Sequence, residues 1–163
     1  FMPLQAGALG FSALAIGSLF TLRALASTLT RLPTGAISTP SWSYRLMLFS
    51  LALGGLAMLA MAHVTDYALL SLVLVVEGIS YGMFLTAGNA FVTQYADAQV
   101  RGASLGAYNM AGGISIALSP ILLGALAQNL GLSTVFLGMG IAALAGTAVL
   151  AVAFPRALSA ARQ

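Results

Sequence analysis

The chain has 163 residues, of which 60% are hydrophobic and only 6% are charged, and its formal net charge is +3. A soluble domain carries about 25% charged residues, so a soluble fold of this composition would expose large apolar patches. The small positive charge argues against a nucleic-acid-binding surface, and the lack of cysteine excludes disulfides and thiol chemistry. A bilayer accepts such a chain, and we therefore expect an integral membrane protein.

Five apolar stretches, separated by polar and turn-rich joints, are long enough to cross a bilayer as helices. They cover about residues 9–31, 46–62, 67–93, 102–127 and 133–154. The sequence therefore predicts an all-α fold, a polytopic transmembrane helix bundle of five spans that forms one domain over residues 1–163. Because the first residue is Phe1 and lies in an apolar stretch, we expect a fragment of a longer protein, with residues 1–4 ending a preceding helix.

The positions of the arginines predict the orientation, since positive residues accumulate in cytoplasmic loops. The joints at residues 63–66 and 128–133 contain no arginine. The other joints and the tail contain five of the six arginines, namely Arg31, Arg45, Arg101, Arg156 and Arg162. We therefore expect loops 32–45 and 94–101 and the C-terminus to be cytoplasmic, in a plasma (inner) membrane.

Two charged residues, Arg23 and Glu77, fall inside the predicted spans. Glu77 follows Tyr67 by ten residues, about 15 Å along a helix, and Arg23 lies at a similar depth if its span starts near Ser12. A charge at the bilayer centre costs about 2.5–3.5 kcal/mol, so such residues face an interior and have a partner. We expect the two to face a common interior and either to pair or to bind a ligand jointly. The alternatives are a static ion pair or a protonated, hydrogen-bonded Glu77.

Helical spacing adds polar and aromatic neighbours to these charges. Ser80, Tyr81, Phe84 and Gly88 share the face of Glu77. On the fourth span, one face carries polar, aromatic and small residues: Tyr108, Gly112, Ser115 and Ser119, with Asn109 beside them. We take as candidate substrate or proton-coupling residues Glu77, Arg23, Tyr81, Phe84, Tyr108 and Asn109. Packing between helices is the alternative role for the aromatic residues.

Small residues also predict where helices touch. Gly78 and Gly82 have the small-xxx-small spacing that is typical of close helix packing in membranes, and we expect them to pack against a neighbouring helix. His63 is alone in a joint near Asp66, and the sequence shows no Ser/His/Asp set, no glycine-rich phosphate loop and no paired carboxylates. We therefore predict no enzyme activity, no cofactor and no metal site.

The segment RLPTGAISTPSWSYR, residues 31–45, resembles the loop between the second and third helices of each half of the major facilitator superfamily, R-x-x-x-G-x-x-x-D-R-x-G-R-R. Arg31 and Gly35 fit the pattern, and Arg45 matches its last arginine with a shift of one position. Thr39 and Pro40 replace its acid and base, which puts the usual charge relay of the loop in doubt. VVEGISYG, VRGASLGAYNMAGG and LSPILLGAL look like the tenth and eleventh helices of that family.

The resemblance implies helices eight to twelve of the C-terminal half of a secondary transporter that works by alternating access. It also implies a cytoplasmic gating loop with Arg31, Gly35 and Arg45. We expect a small organic solute as substrate, moved by proton-coupled or facilitative transport, and the apolar and aromatic cavity face favours efflux. The expected partners are the solute, protons, the lipid bilayer and the missing N-terminal half of the chain, with no nucleic acid. The alternative is a non-transporting membrane scaffold or assembly partner.

Overall fold

A computed structural model describes residues 6–160, with side chains up to residue 153. Its five long helices are α1 (Ala13–Ile37), α2 (Ser43–Met61), α3 (Tyr67–Tyr95), α4 (Arg101–Leu130) and α5 (Leu132–Ala160). Each contains a stretch long and apolar enough to cross a membrane. The predicted all-α bundle of five spans is confirmed. The predicted helix end at residues 1–4 and Arg162 lie outside the described residues, as does the side chain of Arg156.

Helix α1 begins later than residue 9, where the hydropathy pattern starts. Gly10 has a φ of 80°, in the left-handed region that glycine adopts without steric cost, and this conformation interrupts the helix. Ser12 then caps α1, because its side chain accepts a hydrogen bond from the Ala15 amide at 3.3 Å. The helix therefore starts at Ala13, next to Ser12, the start that was assumed in estimating the depth of Arg23.

The joint predicted over residues 32–45 is mostly helical. Helix α1 continues through Pro33 to Ile37 and α2 begins at Ser43, which leaves residues 38–42 as the connection. Proline removes one backbone hydrogen bond, but here the loss falls near the end of the helix. Thr34, the next residue, is buried, and its carbonyl accepts a hydrogen bond from the Ser38 hydroxyl at 2.6 Å. These contacts hold the last turn in place.

The helices pack around α3. Helix α1 makes the most extensive contact with α3, α2 packs on α3 as well, and α5 packs on α2. Ser18 bonds to Tyr67 at 2.7 Å near the start of α1 and α3, and Ser38 bonds to Gln94 at 2.6 Å near their ends. These two contacts show that α1 and α3 run parallel. Helix α2 thus has two helical neighbours, α3 and α5.

Glycines bring α3 close to α1. A Cβ atom on Gly78 would lie 3.2 Å from the Cβ atom of Ala26, and a Cβ atom on Gly82 would lie 3.0 Å from the Cα atom of Ser27. Neither position has room for a larger side chain, because the opposing atoms belong to the α1 backbone or lie next to it. The predicted packing role of Gly78 and Gly82 is confirmed.

Helix α4 is the least packed of the five helices. None of its residues is buried, and its contacts with α3 and α5 are few. It nevertheless continues as one helix through Pro120. Cβ atoms added at Gly112 and Gly113 would meet nothing within 4 Å. Helix α4 thus forms one wall of an open space.

Candidate functional site

Arg23 of α1 and Glu77 of α3 form a two-pronged ion pair. The Arg23 Nη2 atom donates to Glu77 Oε1 at 2.8 Å, and Arg23 Nε donates to Glu77 Oε2. Such parallel charge-assisted bonds suit the planar guanidinium group. Each residue lies ten positions after the first residue of its helix, about 15 Å along the axis. Parallel packing therefore brings two charges of equal depth together.

The two members of the pair differ in their exposure. The Glu77 side chain is 12% exposed and the Arg23 side chain is 30% exposed, so the guanidinium is the more accessible partner. Arg23 Cζ lies 5.1 Å from the centre of the Tyr81 ring, within the range of a cation–π contact. Tyr81 follows Glu77 by one helical turn and thus covers the guanidinium from α3.

A groove of about 540 Å³ lies between α3 and α4. Tyr81 and Phe84 line it from α3, and Tyr108, Asn109, Gly112 and Ser115 line it from α4. Four candidate residues therefore meet in one groove, namely Tyr81, Phe84, Tyr108 and Asn109. Tyr81 belongs to both features, since it contacts Arg23 and lines the groove.

Tyr108 packs into a notch on α3. A Cβ atom on Gly88 would lie 2.9 Å from Tyr108 Cζ, so only glycine leaves room for the ring at this position. The Tyr108 hydroxyl is buried there, and it has no hydrogen-bond partner in the part of the chain that the structure describes. A buried hydroxyl without a partner costs about 1–3 kcal/mol, which makes this contact a weak point of the α3–α4 interface.

The polar face predicted around Glu77 is divided between two neighbours. Ser80 is buried, and its hydroxyl donates to the Ser50 carbonyl of α2 at 2.8 Å, so it does not line the groove. Gly88 receives Tyr108 from α4. The prediction of one shared face was wrong for Ser80, because α3 has helices on several sides and a residue three positions after Glu77 reaches a different one.

The three residues that match the family loop lie away from the groove. Arg31 and Gly35 are in the last turns of α1, and Arg45 is in the first turn of α2, so all three are helical. Arg31 and Arg45 are exposed, and Arg45 Cζ lies 5.6 Å from the centre of the Trp42 ring. The structure does not bring these residues to the ion pair.

Sequence reasoning missed Gln94. Its Nε2 atom donates to the Ser38 carbonyl at 2.6 Å, and its Oε1 atom accepts a hydrogen bond from the Ser43 hydroxyl at 2.8 Å. The hydropathy pattern assigned residue 94 to a joint, whereas α3 continues to Tyr95. A glutamine in the last turn of a long apolar helix was the available signal. Within residues 6–160, no group of three metal-ligating side chains comes together.

Comparison with protein families decides the class of the protein. The model of the Major Facilitator Superfamily matches residues 1–162. The chain belongs to this superfamily. A comparison with curated proteins gives no match. Members of the Major Facilitator Superfamily are transporters, and the five apolar helices agree with that class.

Membership in the Major Facilitator Superfamily and the helix lengths make the chain an integral membrane protein. Its interaction partners are accordingly a small-molecule substrate and the lipid bilayer. The described part of this superfamily member can offer a solute an aromatic groove, with a guanidinium stacked on one of the groove residues.

Proposed function

We propose that this superfamily member moves a small organic solute by alternating access, in the direction of efflux and coupled to protons. The groove between α3 and α4 is its solute path. The observation that carries this proposal is the double role of Tyr81, which stacks on Arg23 and lines the groove. Ionisable residues at mid-membrane depth are costly, and they mark substrate and proton paths in membrane proteins.

The proposal gives each group a chemical task. Phe84 and Tyr108 offer aromatic surface to an apolar solute, and the exposed Asn109 offers an amide for hydrogen bonding. Glu77 carries the proton. Its protonation removes the negative charge and thereby releases Arg23 from the ion pair. Efflux agrees with the mainly apolar groove, since apolar solutes accumulate in membranes.

We further propose that the five helices are the eighth to twelfth of a twelve-helix transporter. This transporter lies in the plasma membrane, and its C-terminus is cytoplasmic. The arginine-rich joints support the orientation. Helix α4 has no buried residue, which fits a partner half that covers it. Arg31, Gly35 and Arg45 then flank a cytoplasmic gating connection at residues 38–42.

The test of proton coupling is uptake of ethidium, an aromatic probe, into everted vesicles that contain the full-length protein. We expect uptake that depends on a pH gradient, and a loss of at least roughly tenfold in Glu77→Gln, because an amide cannot carry the proton. Asp97→Asn is the matched control, since Asp97 lies between α3 and α4, outside the spans. Unchanged gradient dependence in Glu77→Gln would remove Glu77 from coupling.

A second measurement does not depend on the choice of solute. Ser115→Cys places a thiol on the groove of a chain that contains no cysteine. Alternating access predicts that a membrane-impermeant maleimide labels this thiol both in right-side-out and in everted vesicles. Labelling from one side only would contradict alternating access at this groove.

A membrane scaffold or assembly partner is the competing function. The observation that favours it is the tight contact of Gly78 and Gly82 with α1, which suits a static ion pair. This function predicts that the double variant Arg23→Met, Glu77→Met still folds and assembles, because apolar residues of similar size often replace buried ion pairs without loss of stability. The transporter proposal predicts a folded double variant that no longer moves ethidium.

A further inference from the structure

The connection between α1 and α2 is bound to the end of α3 by one glutamine side chain. Gln94 uses both ends of its amide, since Nε2 donates to the Ser38 carbonyl at 2.6 Å and Oε1 accepts from the Ser43 hydroxyl at 2.8 Å. Ser38 is the residue that ends α1, and Ser43 is the first residue of α2. One side chain of α3 therefore reaches the two ends of the connection.

Burial of the two serines and a third hydrogen bond make this contact more than a surface interaction. Ser43 is fully buried and Ser38 is 9% exposed. The hydroxyl of Tyr95, the next residue of α3, donates to the Pro40 carbonyl at 3.2 Å, in the middle of the connection. Three hydrogen bonds from two adjacent residues thus hold residues 38–42 against α3.

None of the groups in these three bonds carries a charge. Thr39 and Pro40 occupy the positions where the resembled loop pattern has an acid and a base, so this connection lacks those charges. The nearby Arg45 stacks on Trp42 and makes no described ion pair. Salt screens interactions between exposed charges, whereas hydrogen bonds between neutral groups have no net charge to be screened.

We propose that Gln94 is a positioning residue that fastens the α1–α2 connection to α3 by neutral hydrogen bonds, so that α1, α2 and α3 move as one body at this end. The inference goes beyond the proposed solute path. Gln94 follows Glu77 by 17 residues, about 25 Å along α3, and it lines no part of the groove. The two proposals are therefore independent, since a failure of the transport proposal would not refute the role of Gln94, and a failure of the Gln94 proposal would not refute transport.

The test measures how often the connection opens. Ser38→Cys keeps the backbone carbonyl that Gln94 binds and places a thiol at a position that is 9% exposed. Its rate of labelling by a polyethylene-glycol maleimide, in the purified full-length protein without other cysteines, reports local opening. We expect Gln94→Met, which fills similar space without hydrogen bonds, to raise this rate roughly tenfold.

Two controls separate local opening from general instability. Ser80→Cys reports on a buried site in the middle of α3, and Gln94→Met should leave its labelling rate unchanged. Thr93→Val removes a hydroxyl that donates within α3, to the Asn89 carbonyl at 2.7 Å, and should change neither rate. An unchanged rate at Ser38→Cys, or an equal rise at both reporters, would overturn the proposal.

A conservative variant and salt complete the test. Gln94→Glu keeps the length and the acceptor for Ser43, but an ionised carboxylate has no donor for the Ser38 carbonyl and places an oxygen against it. The labelling rate at Ser38→Cys should therefore rise at least as much as in Gln94→Met. Gln94→Glu also replaces Gln94→Met if that variant does not fold. With Gln94 in place, the rate should stay the same from about 50 mM to about 500 mM NaCl. A rise with salt would show that charges hold the connection, and would refute the neutral contact.

Discussion

Helix α3 has two contrasting sides. Toward α1, Gly78 and Gly82 allow the backbones to touch, and the Arg23–Glu77 pair lies at the same level. Toward α4, the helices leave a groove of about 540 Å³, bordered by Gly112 and Gly113 of α4. Glycine serves opposite purposes on the two sides, since it permits contact in one case and leaves open space in the other.

This contrast shows that the separation of α1 and α3 is constrained, whereas the position of α4 is less so. An ion pair with good geometry needs two helices at a defined separation, and the glycine contacts set that separation. A groove needs a helix whose surface is not covered by its neighbours. Helix α4 has no buried residue and meets this condition. The tight interface therefore holds Arg23 against Tyr81, and Tyr81 lines a space whose opposite wall has few contacts with its neighbours.

The largest expected effect comes from removing one member of the ion pair. Glu77→Leu leaves the Arg23 guanidinium without its carboxylate partner, and we expect a loss of about 3 kcal/mol in the free energy of unfolding. This value is at the low end for buried pairs, because Arg23 is 30% exposed. Thermal or denaturant unfolding of the purified full-length protein measures the loss.

The double variant Arg23→Met with Glu77→Leu sharpens this prediction. We expect it to regain most of the lost stability, because no uncompensated charge remains. Asp97→Leu, which removes a carboxylate outside the spans, should have little effect. A double variant less stable than either single variant would show that the pair stabilises the interface by itself, not merely that each charge needs the other.

The next effect compares glycines on the two sides of α3. Gly82→Ala places a methyl group against the backbone of Ser27, where a Cβ atom would lie 3.0 Å from Cα, and should cost about 1–3 kcal/mol of stability. Gly113→Ala meets nothing within 4 Å and should stabilise α4 by up to about 1 kcal/mol, since alanine favours helix. Equal destabilisation by both variants would mean that the two sides are packed alike.

The smallest effect concerns the weak contact between α3 and α4. Tyr108→Phe removes a buried hydroxyl that has no partner among the described residues, and we expect unfolding to become harder by about 1 kcal/mol. The ring still fills the notch at Gly88. Tyr108→Ala empties the notch and should destabilise the protein. A less stable Tyr108→Phe variant would show that the hydroxyl has a partner elsewhere in the full-length protein.

Much of the fold could be predicted, because the signals are local. Apolar stretches of membrane-spanning length predict helices, and the fixed rise per residue puts Arg23 and Glu77 at equal depth before any contact is known. Small-residue spacing predicted the packing of Gly78 and Gly82 for the same reason. Errors in helix ends followed from local conformations that hydropathy does not report, such as the positive φ of Gly10.

The candidate site could be predicted only in part. Tyr81, Phe84, Tyr108 and Asn109 meet in one groove, although they come from helices that the sequence could not orient relative to each other. Ser80 was assigned to the same face and instead bonds to α2. Helical periodicity identifies which residues share a face, but it does not tell which neighbour that face will meet.

A helical membrane protein with two charges near mid-span follows from the amino-acid order alone, because bilayer thickness and helix rise act on each span separately. The packing of the helices was needed to show that Arg23 pairs with Glu77, that Gln94 binds the α1–α2 connection, and that α4 has few contacts with α3. The first two features join residues more than 50 positions apart. They depend on how each helix is rotated about its axis, which the shapes of the packed surfaces determine.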